Sequence, residues 1–290
     1  MTAQTQFSTG LTSGIVQVHV EMPDGSSIHF RDDSYSDRIR CDHPVDGDGE
    51  LLASVLRTEA EARGRGRIVV LCPREAALGL EAAGFSLEAV MHSFYQGQRD
   101  CFVLGDFPDG RRARAQSGGI EGFTPSTKEK PRVETRRATK KDAKGIAALI
   151  GSGFDYYPTP SDRPDYIASL IEKGIPFRII DADGDIVACA SADLVDTARA
   201  AEITDCVTRP DQRGKGLMQW LILDLLCDLD AIDYPTAFTL ARASEIGMNK
   251  AFYNTGFRYR GTMSKSCRIG TGIEDINVWS RDTATAYFPK

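Results

Sequence analysis

The segment Arg209-Pro-Asp-Gln-Arg-Gly-Lys-Gly-Leu217 restricts the fold more than any other part of this 290-residue chain. Residues 201–208 before it read as a strand, and Pro210 stops sheet pairing. Residues 216–229 after it read as a helix that is apolar nearly all round, so it belongs inside the molecule. Gly214 and Gly216 let the backbone approach a ligand where a side chain would block it. The free amides at the helix start, with the positive end of the helix dipole, form an anion site. Arg213 and Lys215 add charge, and a diphosphate is the natural occupant. A strand, a glycine turn and a buried helix in that order indicate an α/β layered architecture.

Downstream of residue 132 the expected order is β-α-α-β-β-β-α-β-α-β-β. A short strand covers 133–137, and Thr139 caps a helix running to 150. An aromatic, Pro-rich loop covers 151–163, and a short helix follows near 164–173. A hairpin of 177–181 and 186–194 turns at Asp183-Gly184. After the strand and helix around the glycine turn come a strand at 237–242, a helix at 247–254 and strands at 257–266 and 274–279. Residues 109–131, rich in Gly, Ser, Pro, Arg and Lys, read as a linker. The chain therefore divides into an N-terminal α/β domain over 1–108, the linker, and a larger domain over 132–290. The first domain partly echoes the ending of the second. A strand at 67–72, a helix at 75–83, the pair Gly84-Phe85 and strands at 87–95 and 100–104 match the strand, helix, Gly256-Phe257 pair and two strands that close the chain. We read this as an internal duplication of half a domain.

Composition removes several function classes. Residues 1–125 carry 12 arginines, no lysine and 18 acidic residues, whereas the remainder carries 23 basic and 23 acidic residues. No basic face emerges, so nucleic acid is not an expected partner. His19, His29, His43 and His92 all lie in the first half, so the second half must work without imidazole. That removes Ser-His-Asp and Cys-His schemes there and most zinc schemes, and no metal is expected. The seven cysteines are scattered without a CxxC pair, which reads as reduced, mostly buried thiols. No apolar run reaches the roughly 18–20 residues of a membrane span, and residues 1–14 lack signal-peptide character, so the expected address is cytoplasmic.

The glycine turn is similar to the acetyl-CoA signature of the GNAT N-acetyltransferases, Q/R-x-x-G-x-G/A, with Asp211 at the first position in place of Gln or Arg. Further segments narrow the resemblance: Ala201-Glu-Ile-Thr-Asp-Cys206, Thr239-Leu-Ala-Arg-Ala243, Gly247-Met-Asn249, Glu274-Asp-Ile-Asn-Val-Trp279, Tyr157-Pro-Thr-Pro160 and Tyr35-Ser-Asp-Arg-Ile39. Together they resemble the β-lysine N6-acetyltransferase family over most of the chain. The resemblance implies a GNAT fold, a mixed twisted sheet flanked by helices, preceded by a smaller domain like half a GNAT unit. It implies acetyl-CoA as donor and the ε-amine of β-lysine as acceptor. The product would be a compatible solute made under osmotic stress, with the acceptor supplied by a lysine 2,3-aminomutase. A homodimer is left open.

Site residues follow from the same resemblance. The backbone around Gln212, Arg213, Gly214, Lys215, Gly216, Leu217 and Met218 would hold the pyrophosphate, and the strand edge at Cys206, Val207 and Thr208 would pair with the pantetheine arm. An amine that arrives as ammonium needs a proton acceptor. Glu202 is the first candidate, and Asp205 is the second if a bulge turns it to the same side. In a regular strand Asp205 points away. Either carboxylate could instead bind a second ammonium group. The family's acid is a tyrosine four residues before the Gly-Phe pair, but Phe252 stands there, which leaves Tyr253 as the candidate. Arg242 suits a substrate carboxylate, Asn249 the pantetheine amides, and Tyr157 the acceptor side. Cys206 reads as a buried structural thiol, since no base accompanies it. Two alternatives remain: an acetyltransferase for another amine, amino acid or protein lysine, and an acyl-CoA-binding sensor without turnover. The N-terminal domain has no glycine-rich helix entry and is expected to bind no second CoA.

Overall fold

A computed structural model of the chain describes residues 14–42, 48–108, 110, 120, 123–124, 131–153, 159–269 and 272–284. The chain packs as two compact units. One comprises Met1–His92, Arg99–Gly118 and Arg260–Ile276, and the other Ser93–Gln98, Gly119–Tyr259 and Asn277–Lys290.

The N-terminal part of the chain contains β1 (Ile15–Glu21), β2 (Ser27–Asp33), β3 (Arg38–Asp42), α1 (Gly49–Arg63), β4 (Ile68–Cys72), α2 (Arg74–Ala82), β5 (Ser86–Tyr95) and β6 (Arg99–Asp106). Its strands lie in the order β1-β2-β3-β4-β6-β5. The first three pair antiparallel, and β3 pairs parallel with β4. In the remainder of the chain come β7 (Arg136–Arg137), α3 (Ala143–Gly153), α4 (Pro164–Glu172), β8 (Phe177–Ala182), β9 (Asp185–Val195), β10 (Ala200–Thr208), α5 (Leu217–Asp230), β11 (Thr236–Arg242), α6 (Ile246–Asn254), β12 (Arg258–Ile269) and β13 (Gly272–Asp282). The order from β8 is β8-β9-β10-β11-β13-β12, again with three antiparallel strands and a parallel β10–β11 pair.

The internal echo is therefore larger than the sequence pattern predicts. It takes in β1–β3 and α1 as well as the closing strand-helix-hairpin. Both helix ends before the Gly-Phe pairs have the same geometry: the Phe85 amide donates to the Leu80 carbonyl at 2.9 Å and the Phe257 amide to the Phe252 carbonyl at 3.0 Å. Ser93 and Lys265, the ninth residues after Gly84 and Gly256, both adopt positive φ, 55° and 43°. What the first copy lacks, among the described residues, is a counterpart of α3 and α4 before β1. In the second copy those helices cover one sheet face with an apolar layer that includes Ile146, Ile150, Ile167, Phe177, Ile179 and Cys189. By strand register, the places of Phe177 and Ser191 are taken in the first copy by the facing pair His19 and His29. Without such helices among the described residues, this face of the first copy carries polar side chains.

Helix α5 is buried on nearly every side. Its two buried acids are neutralised: Arg178 and Arg137 bind Asp228, while Arg132 and Thr135 bind Asp224. In the first unit the Tyr35–Ile39 segment holds the returning strand β12. The buried Arg38 guanidinium donates to the Ser266 carbonyl at 2.7 Å and pairs with Asp33 at 3.0 Å. Arg268 donates to the Tyr35 carbonyl at 2.9 Å. Among the described residues no helix is long and apolar enough to cross a membrane.

Candidate active site

The glycine turn is formed as its spacing suggests. A short 3-10 turn covers Pro210–Gln212, and α5 begins at Leu217 with Gly216 as its N-cap. Gly214 and Gly216 have φ of 77° and 82°, a region that disfavours side chains. No side chain caps the first amides of α5, so the strongest end of a 14-residue helix dipole is left for an outside anion. Asp211 does not spoil that site. Arg209 grips its carboxylate through Nε at 2.7 Å and Nη2 at 3.0 Å, and Gln212 donates to it at 2.9 Å. Its negative charge is thus neutralised locally. Arg213 is tied to the Thr208 carbonyl and Lys215 to the Gln212 amide oxygen, which stiffens the loop.

Strand β10 leads from this turn into an open fork. Its parallel pairing with β11 covers only Ala200↔Thr236, Ala201↔Ala237 and Glu202↔Phe238, although both strands continue. The Thr239 hydroxyl closes the fork by donating to the Ile203 carbonyl at 2.8 Å. On its other side β10 stays paired with β9 through a bulge between Thr204 and Val207. Beyond Glu202, β10 no longer pairs with β11, so the edge around Cys206, Val207 and Thr208 lies past the end of that ladder.

The bulge also decides what the strand presents. Asp205 sits there at a φ of 49°, left-handed for a non-glycine residue, which is strain of the kind kept at functional sites. Its buried carboxylate accepts from the Ser191 hydroxyl at 2.7 Å. Sequence reasoning missed Asp193. It lies directly opposite Glu202 in the β9–β10 register, so the two carboxylates share one sheet face. Asp193 is exposed to solvent at the sheet surface, with protein packed around it. Burial, reinforced by Asp205 and Glu202, pushes its carboxyl up to about 7. Burial, reinforced by the same two carboxylates, raises the Cys206 thiol far above its ordinary range, so it stays protonated and is no nucleophile. Tyr166 on α4 faces the group, and its hydroxyl is raised by burial and then by Asp193 and Asp205. The signal that could have found Asp193 is the hairpin length between β9 and β10, which fixes the register.

The other expected residues occupy other neighbourhoods. Arg242 ends β11 and pairs with Glu245 at 3.0 Å. Asn249 is only 1% exposed, and its amide is fully used. It donates to the Arg242 and Glu245 carbonyls and accepts from Asn277 and Trp279, all at 2.8–2.9 Å. The side chain thereby ties β11, α6 and β13 together. Tyr253 packs edge-on against Phe123 and Trp279, with ring centroids 6.1 and 6.5 Å apart. Phe252 is buried against Phe257. Tyr157 lies outside the described residues. Among the described residues no three His, Cys, Asp or Glu side chains could hold a metal, and all seven cysteines are free thiols.

Comparison with known proteins matches residues 147–256 to the Acetyltransferase (GNAT) family. The chain is similar to the β-lysine N6-acetyltransferase of Methanosarcina mazei, with 31% identity over 263 residues, 80% of this chain and 97% of that one. It is 27% identical to the N-acetyltransferase YodP of Bacillus subtilis, over 86% of this chain and 94% of that one. It is 26% identical to the β-lysine N6-acetyltransferase of Methanococcus maripaludis, over 69% and 76% of the two chains.

Proposed function

Because the chain belongs to the β-lysine N6-acetyltransferase family of GNAT enzymes, we propose that it transfers the acetyl group of acetyl-CoA to the ε-amine of β-lysine, 3,6-diaminohexanoate. It is an acetyl-CoA-dependent N-acetyltransferase. The observation that carries the choice of acceptor is the match along nearly the whole of a relative of that name.

The geometry supports the reading. The uncapped start of α5, with the amides from Gln212 to Met218, suits a pyrophosphate, and the fork beside Cys206, Val207 and Thr208 suits the pantetheine arm. Bound there, acetyl-CoA supplies an activated thioester carbonyl. The carboxylate face of β9 and β10 suits an acceptor with two ammonium groups. Glu202 serves as proton acceptor, and Asp205, oriented by Ser191, holds the second ammonium. Arg242 receives the carboxylate once Glu245 gives way. Tyr253 is the remaining candidate for protonating the leaving thiolate, and Tyr157 for covering the acceptor. The reading places the enzyme in the cytoplasm, fed by a reaction that moves the α-amino group of lysine to C3.

Incubation with acetyl-CoA and β-lysine, α-lysine, ornithine or spermidine, followed by free thiol, tests it. Thiol release is expected with β-lysine above the others. Silence with β-lysine and turnover of another amine would overturn the acceptor, and silence with all four would leave an acyl-CoA sensor.

A further inference from the structure

We propose that the proton acceptor of this site is the Asp193–Glu202 pair acting as one unit, with Asp193 a catalytic residue in its own right. This deepens the proposed function and rests on it.

Four observations carry the inference. Asp193 and Glu202 are register partners on adjacent strands, so their carboxyls share one face at cross-strand distance. That face belongs to β10, the strand that runs into the cofactor turn and borders the fork. Among the described residues the titratable groups coupled to Asp193 are Glu202 and Asp205 on β10 and Tyr166 on α4, and none of these can be a cation. Finally, the fold does not require acids there. In the first copy the same two register positions are Arg31 and Arg40, bridged by Asp42.

Two carboxylates so placed share a proton, and the pair titrates as a whole. Its second ionisation lies near neutrality, consistent with the raised Asp193 carboxyl. When the substrate's ammonium enters, the ionised pair takes one proton from its nitrogen. The freed lone pair forms the C–N bond at the thioester carbonyl, the C–S bond breaks, and its electron pair leaves on sulfur. The second nitrogen proton ends on the thiolate, with Tyr253 the candidate to deliver it, and the pair releases its proton to solvent. Atoms and charge balance with no further reactant.

Two measurements test this. The first needs no substrate. A carboxyl held above its unfolded value of about 3.9 weakens the fold as pH rises from that value through about 7. Asp193→Asn is therefore expected to raise the melting temperature relative to wild type at pH 8 and not at pH 4, and Glu202→Gln to do likewise. The second is the pH profile of kcat/KM for β-lysine. Asp193→Asn is expected to move the acid limb down by at least one pH unit, a tenfold change in proton concentration, and to lower kcat. An unmoved acid limb with turnover intact, or an Asp193→Asn melting difference independent of pH, overturns the proposal. If wild type acetylates no amine, the proposed function and the catalytic role fall together, while the melting curves still decide whether the two acids are coupled.

Discussion

Helices α1 and α5 follow the same strand in the two copies and begin in opposite ways. At α1 the carboxylate of Asp48 accepts from the amides of Glu50 and Leu51 at 2.9 and 3.3 Å. The protein's own anion fills the position that a phosphate would take, and Glu50 adds a second negative charge. Gly49 is packed so closely that a Cβ would lie 2.2 Å from the Ala76 carbonyl oxygen. At α5 the cap is Gly216, and the helix start is open. The contrast repeats on the sheet, where Arg31 and Arg40 in one copy stand for Asp193 and Glu202 in the other. One strand order thus supports two surfaces of opposite chemistry, and a few side chains decide which ligand either could accept.

The contrast can be broken most severely by importing the self-cap. Gly216→Asp places a carboxylate where the pyrophosphate belongs, and the acetyl-CoA Kd is expected to rise at least ~100-fold by calorimetry, with circular dichroism showing a folded protein. Next in size is Glu202→Gln, for which kcat should fall by roughly 10²–10³ when thiol release is followed at pH 8. Arg242→Ala should raise KM for β-lysine by about 10–30-fold and spare kcat. With 1,5-diaminopentane, which has no carboxylate, wild type and variant should behave alike, and a KM difference there would remove Arg242 from substrate binding. The smallest effect is expected from Asp48→Ala. Loss of that cap costs about 1 kcal/mol and a few degrees of melting temperature, while the acetyl-CoA Kd stays where it was. A weakened Kd would mean that α1 is not as separate from the cofactor as its self-cap implies.

The two copies also differ in how much of them could be read from the chain. The turn at Gln212–Gly216 announces itself because glycines, a proline stop and an apolar helix are all local signals. The buried α5 was legible for the same reason. Strands β1–β3 were not, because their sheet face exchanges Phe177-like positions for His19-like ones and blurs the apolar count. The bulge at Asp205 and the partnership of Asp193 with Glu202 depend on register across a turn, which alternation alone leaves undetermined. Asn249 reads in the chain only as a polar residue within a family motif. Its saturation by two carbonyls, Asn277 and Trp279 appears only once β13 is folded beside it.

The membership of Arg260–Ile276 in the first unit has a consequence for biosynthesis. Up to β6 that unit is interrupted only by Ser93–Gln98, yet the strand held by Arg38 and Tyr35 is encoded after β11 and α6. At about 5–20 residues per second, translation from Asp106 to Arg260 occupies roughly 8–30 s. During that interval the nascent chain holds a nearly finished N-terminal body whose last strand does not yet exist.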